Sequence, residues 1–185
     1  MIAAGSAGRT APGFVLVAFD GAHCDRIRKS LGIRIPFTNL LRFLVPDDKP
    51  VRAVYHRDRR DRTEAERLDG LLRHLKRKGF EVRGAGPDDM GNGPRERYGT
   101  NLVELAVAVI GLADEARRVV LVGGDRKLVP LAQALRERGT HLTVATSLAI
   151  PEVIRASPEL LAEADAVVDF TAEVLAAADD GTRND

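Results

Sequence analysis

Two short apolar runs that each lead into an acidic residue constrain the fold of this chain more than any other feature. FVLVAF, residues 14–19, is followed by Asp20, and RVVLVGGD, residues 118–125, ends in Asp125. Apolar runs of this length, without alternating polar residues, are typical of strands buried on both faces of a parallel sheet. We therefore predict two central strands, each with a carboxylate at its C-terminal end.

Helical and extended segments alternate along the rest of the chain. Thr63 and Glu66 have the spacing of a capping box, and leucines continue at helical intervals until Gly79 ends the predicted helix. Two further helices are predicted from the apolar stripes Leu102, Leu105, Ala106, Val109 and Leu128, Leu131, Ala132, Leu135. Three more strands are predicted at FEVRG (80–84), HLTVAT (141–146) and AVVDF (166–170).

This alternation predicts an α/β fold in which helices cover both faces of a mostly parallel sheet. At 185 residues the chain suffices for one well-packed domain. We place that domain at residues 13–175, with a flexible N-terminal tail at 1–12 and a disordered C-terminal tail at 176–185. Residues 85–99 are glycine-rich and are expected to form a loop.

Composition argues against a membrane or secreted protein. No apolar run approaches the roughly 18 to 20 residues of a spanning helix. The first dozen residues lack the apolar core of a secretory signal. Cys24 is the only cysteine, so no internal disulfide can form, which favours a reducing compartment. We expect a cytoplasmic protein.

The net charge of +1 conceals an uneven distribution. Residues 140–185 carry a net charge of −7, so the remainder carries +8, and basic residues are densest in the stretch 52–78. Clustered lysine and arginine bind nucleic acid by releasing counterions from the phosphates. RNA or DNA is thus one expected partner; the alternative is a solvated surface in which acids neutralise the bases. The candidate contacts are Arg57, Arg59, Arg60 and Arg62.

The two strand-end acids are the first candidates for chemistry. In open parallel sheets, ligands bind outside the carboxyl ends of the strands, where Asp20 and Asp125 are predicted. Carboxylates of this kind hold Mg²⁺ together with water and substrate phosphate oxygens. The alternative is that both are loop aspartates that cap helices or turns.

Four segments resemble the NYN family of PIN-like nucleases, in particular its LabA-like branch. FDGAH resembles a first-strand Asp-Gly-x-Asn motif, with His23 where asparagine is usual. GGDRKLVPLAQALRERG resembles the Ser-Gly-Asp-Ser-Asp-Phe hallmark and the proline-containing helix after it. YGTNLVELAVAVI and DAVVDF resemble the acidic helix and the closing region of the family. The resemblance covers roughly residues 14–171.

The resemblance implies a three-layer α/β/α PIN-like (Rossmann-like) domain whose acids bind Mg²⁺ or Mn²⁺ to cleave RNA. Carried over by position, Asp20 and Asp125 are the metal ligands, and with Glu104 they form the catalytic set. Asn101, Ala108 and Lys127, however, stand where the family usually has aspartate.

Two hypotheses follow from this departure. In one, Lys127 replaces the metal electrostatically and leaves the site weakened or inactive. In the other, Lys127 points to solvent, and the remaining acids together with His23 still hold an ion. Candidate contacts to a substrate are His23, Asn101 and Lys127 in addition to the four arginines.

The function most consistent with these features is RNA binding with a weakened or lost metal-dependent nuclease site. The alternative is an active Mg²⁺- or Mn²⁺-dependent endoribonuclease. A protein-interaction or nucleotide-sensing module is a further alternative, and a protein partner is compatible with the same surface. The sequence does not determine the oligomeric state.

Overall fold

A computed structural model describes residues 13–46, 50–88 and 100–182 of the chain. Six strands form one sheet in the order β3-β2-β1-β4-β5-β6, and every neighbouring pair is parallel. The strands are β1 Phe14–Asp20, β2 Val51–His56, β3 Glu81–Arg83, β4 Ala116–Val122, β5 His141–Thr146 and β6 Ala166–Asp169.

Seven α-helices are present among the described residues. They are α1 Gly21–Leu31, α2 Phe37–Leu44, α3 Arg62–Arg77, α4 Leu102–Ala113, α5 Val129–Glu137, α6 Pro158–Glu163 and α7 Thr171–Thr182. Short 3₁₀ turns occupy Arg126–Leu128 and Glu152–Ile154. The predicted fold class, an α/β/α domain with a central parallel sheet, is confirmed.

The central strands divide their side chains between the two faces of the sheet. Val15, Val17 and Phe19 pack on one face, whereas Leu16 and Ala18 pack on the other. This alternation explains the uninterrupted apolar run, because successive residues of a strand point to opposite sides and both sides are covered.

Aromatic rings dominate the first face, which α1, α2, α3 and α7 cover. The ring of Phe19 contacts those of Phe37, Tyr55 and Phe80 at centroid distances of 5.7, 6.5 and 5.7 Å. Aliphatic side chains from α4, α5 and α6 pack on the second face, around Leu16 and Leu121. Each fully buried side chain of this size stabilises the fold by about 2 kcal/mol.

Strand β2 and helix α2 were not predicted from the sequence. In VRAVYH only Ala53, Val54 and Tyr55 are both apolar and buried, and the flanking Arg52 and His56 gave the segment a basic appearance. Arg52 instead forms an ion pair with Glu81 of the edge strand β3, with 3.0 Å between Nη2 and Oε2. Part of the predicted basic stretch is therefore a strand of the sheet.

Helix α3 begins at Arg62, so the predicted capping box at Thr63 and Glu66 is wrong by two residues. Asp61 is the N-cap, and its Oδ1 accepts a hydrogen bond of 2.7 Å from the backbone N–H of Glu64. An aspartate followed three residues later by glutamate is an equivalent signal, and the structure uses this earlier pair.

The C-terminal boundary also differs from the prediction. Helix α7 continues through residues 176–182, which were expected to be disordered. Asp169 Oδ1 accepts a hydrogen bond of 2.9 Å from the N–H of Thr171 at the helix start. The alanines at 176–178 have the highest intrinsic helix propensity, which favours continuation of the helix.

The predicted N-terminal tail, most of the predicted glycine-rich loop and residues 183–185 lie outside the described residues. Within the described part of the chain, no helix combines the length and apolar character needed to cross a bilayer.

The two capping assignments can be separated by mutation. Asp61→Ala removes the N-cap acceptor and is expected to lower the free energy of unfolding by about 1 kcal/mol. Thr63→Ala removes a side chain of the first helical turn and should lower the free energy of unfolding by less than about 0.5 kcal/mol. Urea denaturation of both variants measures the difference; an equal loss in the two would contradict the Asp61 cap.

Candidate functional site at the carboxyl edge

The carboxyl ends of β1, β2, β4 and β5 meet along one side of the sheet, here called the carboxyl edge. Asp20 ends β1 and lies beside His56, the last residue of β2. Gly123, Gly124 and Asp125 follow β4, which flanks β1 on its other side. Because β1 and β4 leave the sheet toward opposite faces, this is the position where open α/β sheets bind ligands.

Asp20 is buried and serves as the N-cap of α1. Its Oδ1 accepts hydrogen bonds from the backbone N–H groups of Ala22 at 2.9 Å and His23 at 3.1 Å. Thr100 Oγ1 also accepts from the N–H of Ala22, at 3.1 Å. The predicted alternative role of this aspartate, helix capping, is therefore present in the structure.

Asp125 has a parallel role after β4. It caps the 3₁₀ turn Arg126–Leu128, and its Oδ1 accepts a hydrogen bond of 2.9 Å from the backbone N–H of Lys127. The side chain of Lys127 is exposed. The contact that the structure gives between Lys127 and Asp125 thus involves the lysine backbone, and the electrostatic role proposed for its ammonium group stays a prediction.

His23 lies beneath this edge with 1% of its surface exposed. Its Nε2 is 3.2 Å from Thr146 Oγ1, the hydroxyl at the end of β5. Burial lowers the pKa of His23 to about 4, although the charges of Asp20 and Asp125 act in the opposite direction. The imidazole is therefore neutral at pH 7 and is packed inside the domain.

The glycines after β4 leave room for these groups. A Cβ at Gly124 would lie 2.5 Å from His23 Cε1 and 2.8 Å from the Cα of Ala156. A Cβ at Gly123 would make ordinary contacts, 3.4 Å from Leu128 Cδ1 and 3.6 Å from the Cβ of Asp20. Gly124 is thus required by close packing around His23.

Helix α4 contributes Asn101 and Glu104 to the carboxyl edge. Asn101 is the N-cap, and it also donates a hydrogen bond of 3.0 Å from Nδ2 to Glu104 Oε1. Glu104 is about half exposed, whereas Ala108 on the following turn is buried and carries no polar group. Of the positions 101, 104 and 108, only 104 supplies a carboxylate.

The catalytic acids predicted from the resemblance do not form a compact ligand group. In the described part of the chain, a compact ligand group is formed by His56, Asp58 and Glu104. Each of these residues has a ligand atom within 4.8 Å of the ligand atoms of the other two. Asp20 and Asp125 are outside this group. The shared metal site and the catalytic role expected of Asp20, Asp125 and Glu104 stay predictions.

His56 and Asp58 were not singled out as site residues by sequence reasoning. His56 Nε2 lies 3.5 Å from Glu104 Oε2 and 3.9 Å from Asp58 Oδ1. The imidazole is 1% exposed, and burial lowers its pKa. A usable signal was present, because a histidine and an aspartate two residues apart directly follow the buried Ala53–Tyr55 segment.

Helix α4 and the end of β3 enclose a groove of about 490 Å³ beside this group. His56 and Glu104 form its polar end, together with Arg83. Val103, Val107 and Leu112 form its apolar side, and the first two are among the exposed large apolar residues of the protein.

The predicted nucleic-acid contacts are divided between the interior and the surface. Arg57 is buried, and its Nη2 lies 2.6 Å from Oε1 of the buried Glu64. Arg60 Nε lies 2.9 Å from Glu64 Oε2. Burial alone would raise the pKa of Glu64, but hydrogen bonds from Arg60 and the charge of Arg57 outweigh it and lower the pKa to about 2.

Arg59 and Arg62 are placed differently from Arg57 and Arg60. Arg62 is highly exposed and lies 3.7 Å from the equally exposed Asp88. Arg59 lines a small basic pocket of about 110 Å³ between α3 and β3, together with Arg73, Lys76 and Arg83. Its Nε is buried and has no hydrogen-bond partner among the described residues.

Comparison with known proteins identifies the class to which this fold and edge belong. Residues 14–171 match the profile of the NYN domain. The chain is a member of the NYN domain family, which is part of the PIN-like nuclease superfamily.

A solved structure with a similar fold is a protein of unknown function, VPA0982, from Vibrio parahaemolyticus RIMD 2210633. The two share 19% sequence identity with a TM-score of 0.67, over 88% of this chain and 95% of that chain. At this identity the likeness concerns the fold. A search of curated proteins gave no match.

Acid should destabilise the fold through His23. Because its pKa is about 4 when folded and near 6.5 when unfolded, the unfolded chain binds more protons between these values. Stability is therefore retained above pH 6.5 and falls as the pH decreases, by about 2 kcal/mol between pH 7 and pH 5. Urea denaturation at both pH values should show a smaller difference for His23→Asn; an unchanged difference would contradict the assignment.

The ion pair of Arg57 with Glu64 predicts a large effect of Glu64→Gln. This change removes the nearer counter-charge of the buried Arg57 guanidinium and leaves Asp25, with 4.0 Å between Nη2 and Oδ2, so it is expected to cost about 3 kcal/mol of unfolding free energy. Asp69→Asn is the control, because it breaks the exposed pair of Asp69 with Arg73 and should cost less than about 1 kcal/mol. Similar losses for both, measured by chemical denaturation, would refute the buried-pair argument.

Proposed function

We propose that this NYN domain binds RNA along the carboxyl edge and that its metal-dependent nuclease site is weakened or lost. The observation that carries the proposal is the use of the strand-end acids. Asp20 Oδ1 and Asp125 Oδ1 both accept hydrogen bonds from backbone N–H groups of the turns that they cap. The strand-end acids of the carboxyl edge are retained, but their Oδ1 atoms accept capping hydrogen bonds that stabilise the turns after β1 and β4.

The low negative charge of the carboxyl edge supports the proposal that this site cleaves RNA weakly. Metal-assisted cleavage of a phosphodiester needs carboxylates that hold the ion and lower the pKa of its bound water. By the family resemblance, three usual aspartates are replaced by Asn101, Ala108 and Lys127. The amide, the methyl group and the ammonium group of these side chains provide no negative charge for a divalent cation.

RNA binding is supported by the small basic pocket that continues from the carboxyl edge along α3. Besides Arg57, the pocket is lined by Arg59, Arg73, Arg83 and Lys76, and the acid among the lining residues is Asp69, which pairs with Arg73. A phosphate group would satisfy the buried Arg59 Nε, because guanidinium groups bind phosphate oxygens in paired, charge-assisted hydrogen bonds. Arg57 is excluded from this role by its pairing with Glu64.

The RNA-binding part is tested with a labelled single-stranded RNA in a salt titration with the metal chelated. The double variant Arg59→Gln, Lys76→Gln should bind more weakly and should reduce the slope of log K against log salt by about 1.4. Arg117→Gln, Arg138→Gln is the matched control, since both arginines are exposed near the amino ends of β4 and β5. Equal binding by the two double variants would contradict the proposed surface.

The nuclease part is tested with the same RNA in the presence of Mn²⁺. We expect little cleavage, and no difference in rate between the unmodified protein and Asp125→Asn. Rapid cleavage that disappears in Asp125→Asn would instead establish the alternative function, an active endoribonuclease that uses the remaining acids.

A further inference from the structure

We propose that His56, Asp58 and Glu104 form a binding site for one divalent transition-metal ion of the zinc class. This site is distinct from the Asp20 and Asp125 pair predicted from the family resemblance. It also does not depend on the proposed binding of RNA.

The first argument is the state of the His56 side chain. Neither ring nitrogen of His56 has a hydrogen-bond partner among the described residues, although the residue is 1% exposed. A buried polar atom without a partner is costly, since its hydrogen bonds to water are lost on folding. A metal ion bound to Nε2 would remove part of this cost.

The second argument is the distance between the ligand atoms. Zinc binds nitrogen and oxygen ligands at about 2.0 to 2.2 Å, which places tetrahedral ligands about 3.3 to 3.6 Å apart. His56 Nε2 lies 3.5 Å from Glu104 Oε2 and 3.9 Å from Asp58 Oδ1. The ligand atoms of all three residues lie within 4.8 Å of one another, so inward movement of the half-exposed Glu104 and of Asp58 is what completes the geometry.

The third argument is the support given to each carboxylate. Asp58 Oδ1 accepts a hydrogen bond of 2.9 Å from the backbone N–H of Ala85. Glu104 Oε1 accepts the hydrogen bond from Asn101, which leaves Oε2 directed toward His56. Hydrogen bonds from such surrounding groups orient metal ligands and fix their position.

The ligand types select the class of metal. An imidazole with two carboxylates suits zinc and neighbouring transition metals, whereas Mg²⁺ prefers oxygen ligands and retains several waters. Because the site lies at the polar end of the 490 Å³ groove, three protein ligands leave one coordination position accessible from that groove. This is the pattern of zinc sites that keep an open position.

Calorimetric titration of the metal-free, full-length protein with Zn²⁺ tests the proposal. One ion should bind per chain, and Glu104→Gln should weaken the affinity at least about tenfold. Glutamine keeps an oxygen for the hydrogen bond from Asn101, so the helix start is preserved. Glu115→Gln, an exposed change of equal charge at the other end of α4, is the control and should bind Zn²⁺ as the unmodified protein does.

A second measurement identifies the ligands directly. Co²⁺ in the same site should give a visible absorption band that is lost in His56→Gln and in Asp58→Asn. Absence of Zn²⁺ binding, or equal affinity in Glu104→Gln and Glu115→Gln, would overturn the proposal. Loss of binding in Asp125→Asn to the same extent as in Glu104→Gln would also overturn it, by assigning the ion to the strand-end acids. Because the RNA titration is made with metal chelated, failure of either proposal leaves the other measurable.

Discussion

The pairing of β1 with β2 on one side and β4 on the other is the interaction on which the rest of the structure depends. It places a strand that is buried on both faces at the centre of the sheet, and it brings Asp20 beside His56 and next to the turn after β4. Helix α1 starts at the very next residue, Gly21, where a Cβ would lie 2.8 Å from the ring of Tyr55. The strand therefore passes directly into a helix, and the geometry of the carboxyl edge follows from that junction.

Electrostatics divide the carboxyl edge into two unlike regions. Around β1 and β4, carboxylates are matched by backbone N–H groups, which makes these acids part of the fold as well as of the edge. Around β2, a buried histidine faces two carboxylates at distances beyond a normal hydrogen bond. In the region around β1 and β4, backbone N–H groups of the protein satisfy the carboxylates. In the region around β2, the imidazole and the two carboxylates are the ligand types that a cation requires. The neighbouring Arg57 does not fill that role, because Glu64 already neutralises it in the interior.

The sequence predicted the fold more fully than the site. Long apolar runs such as 14–19 and 118–125 indicate buried strands whatever surrounds them, and the helical stripes on α4 and α5 were equally clear. Strand β2 was missed because only Ala53, Val54 and Tyr55 form its apolar part, and its cations pair with partners that are distant in sequence. Without β2, His56 could not be placed beside Asp20. The positions of Asp20, Asp125 and Glu104 were recognised by pattern, but which side-chain oxygens are used as caps depends on local backbone geometry that composition and spacing do not specify.

The close packing of Gly124 against His23 has a consequence for how the family can vary. A side chain at position 124 would meet both the imidazole of His23 and the backbone of Ala156, so glycine is required there even when residue 23 is shorter than histidine. In the motifs given by the resemblance, glycine stands at position 124 together with asparagine at position 23. The two positions lie 101 residues apart in the chain, and the larger histidine is accommodated because position 124 has no side chain.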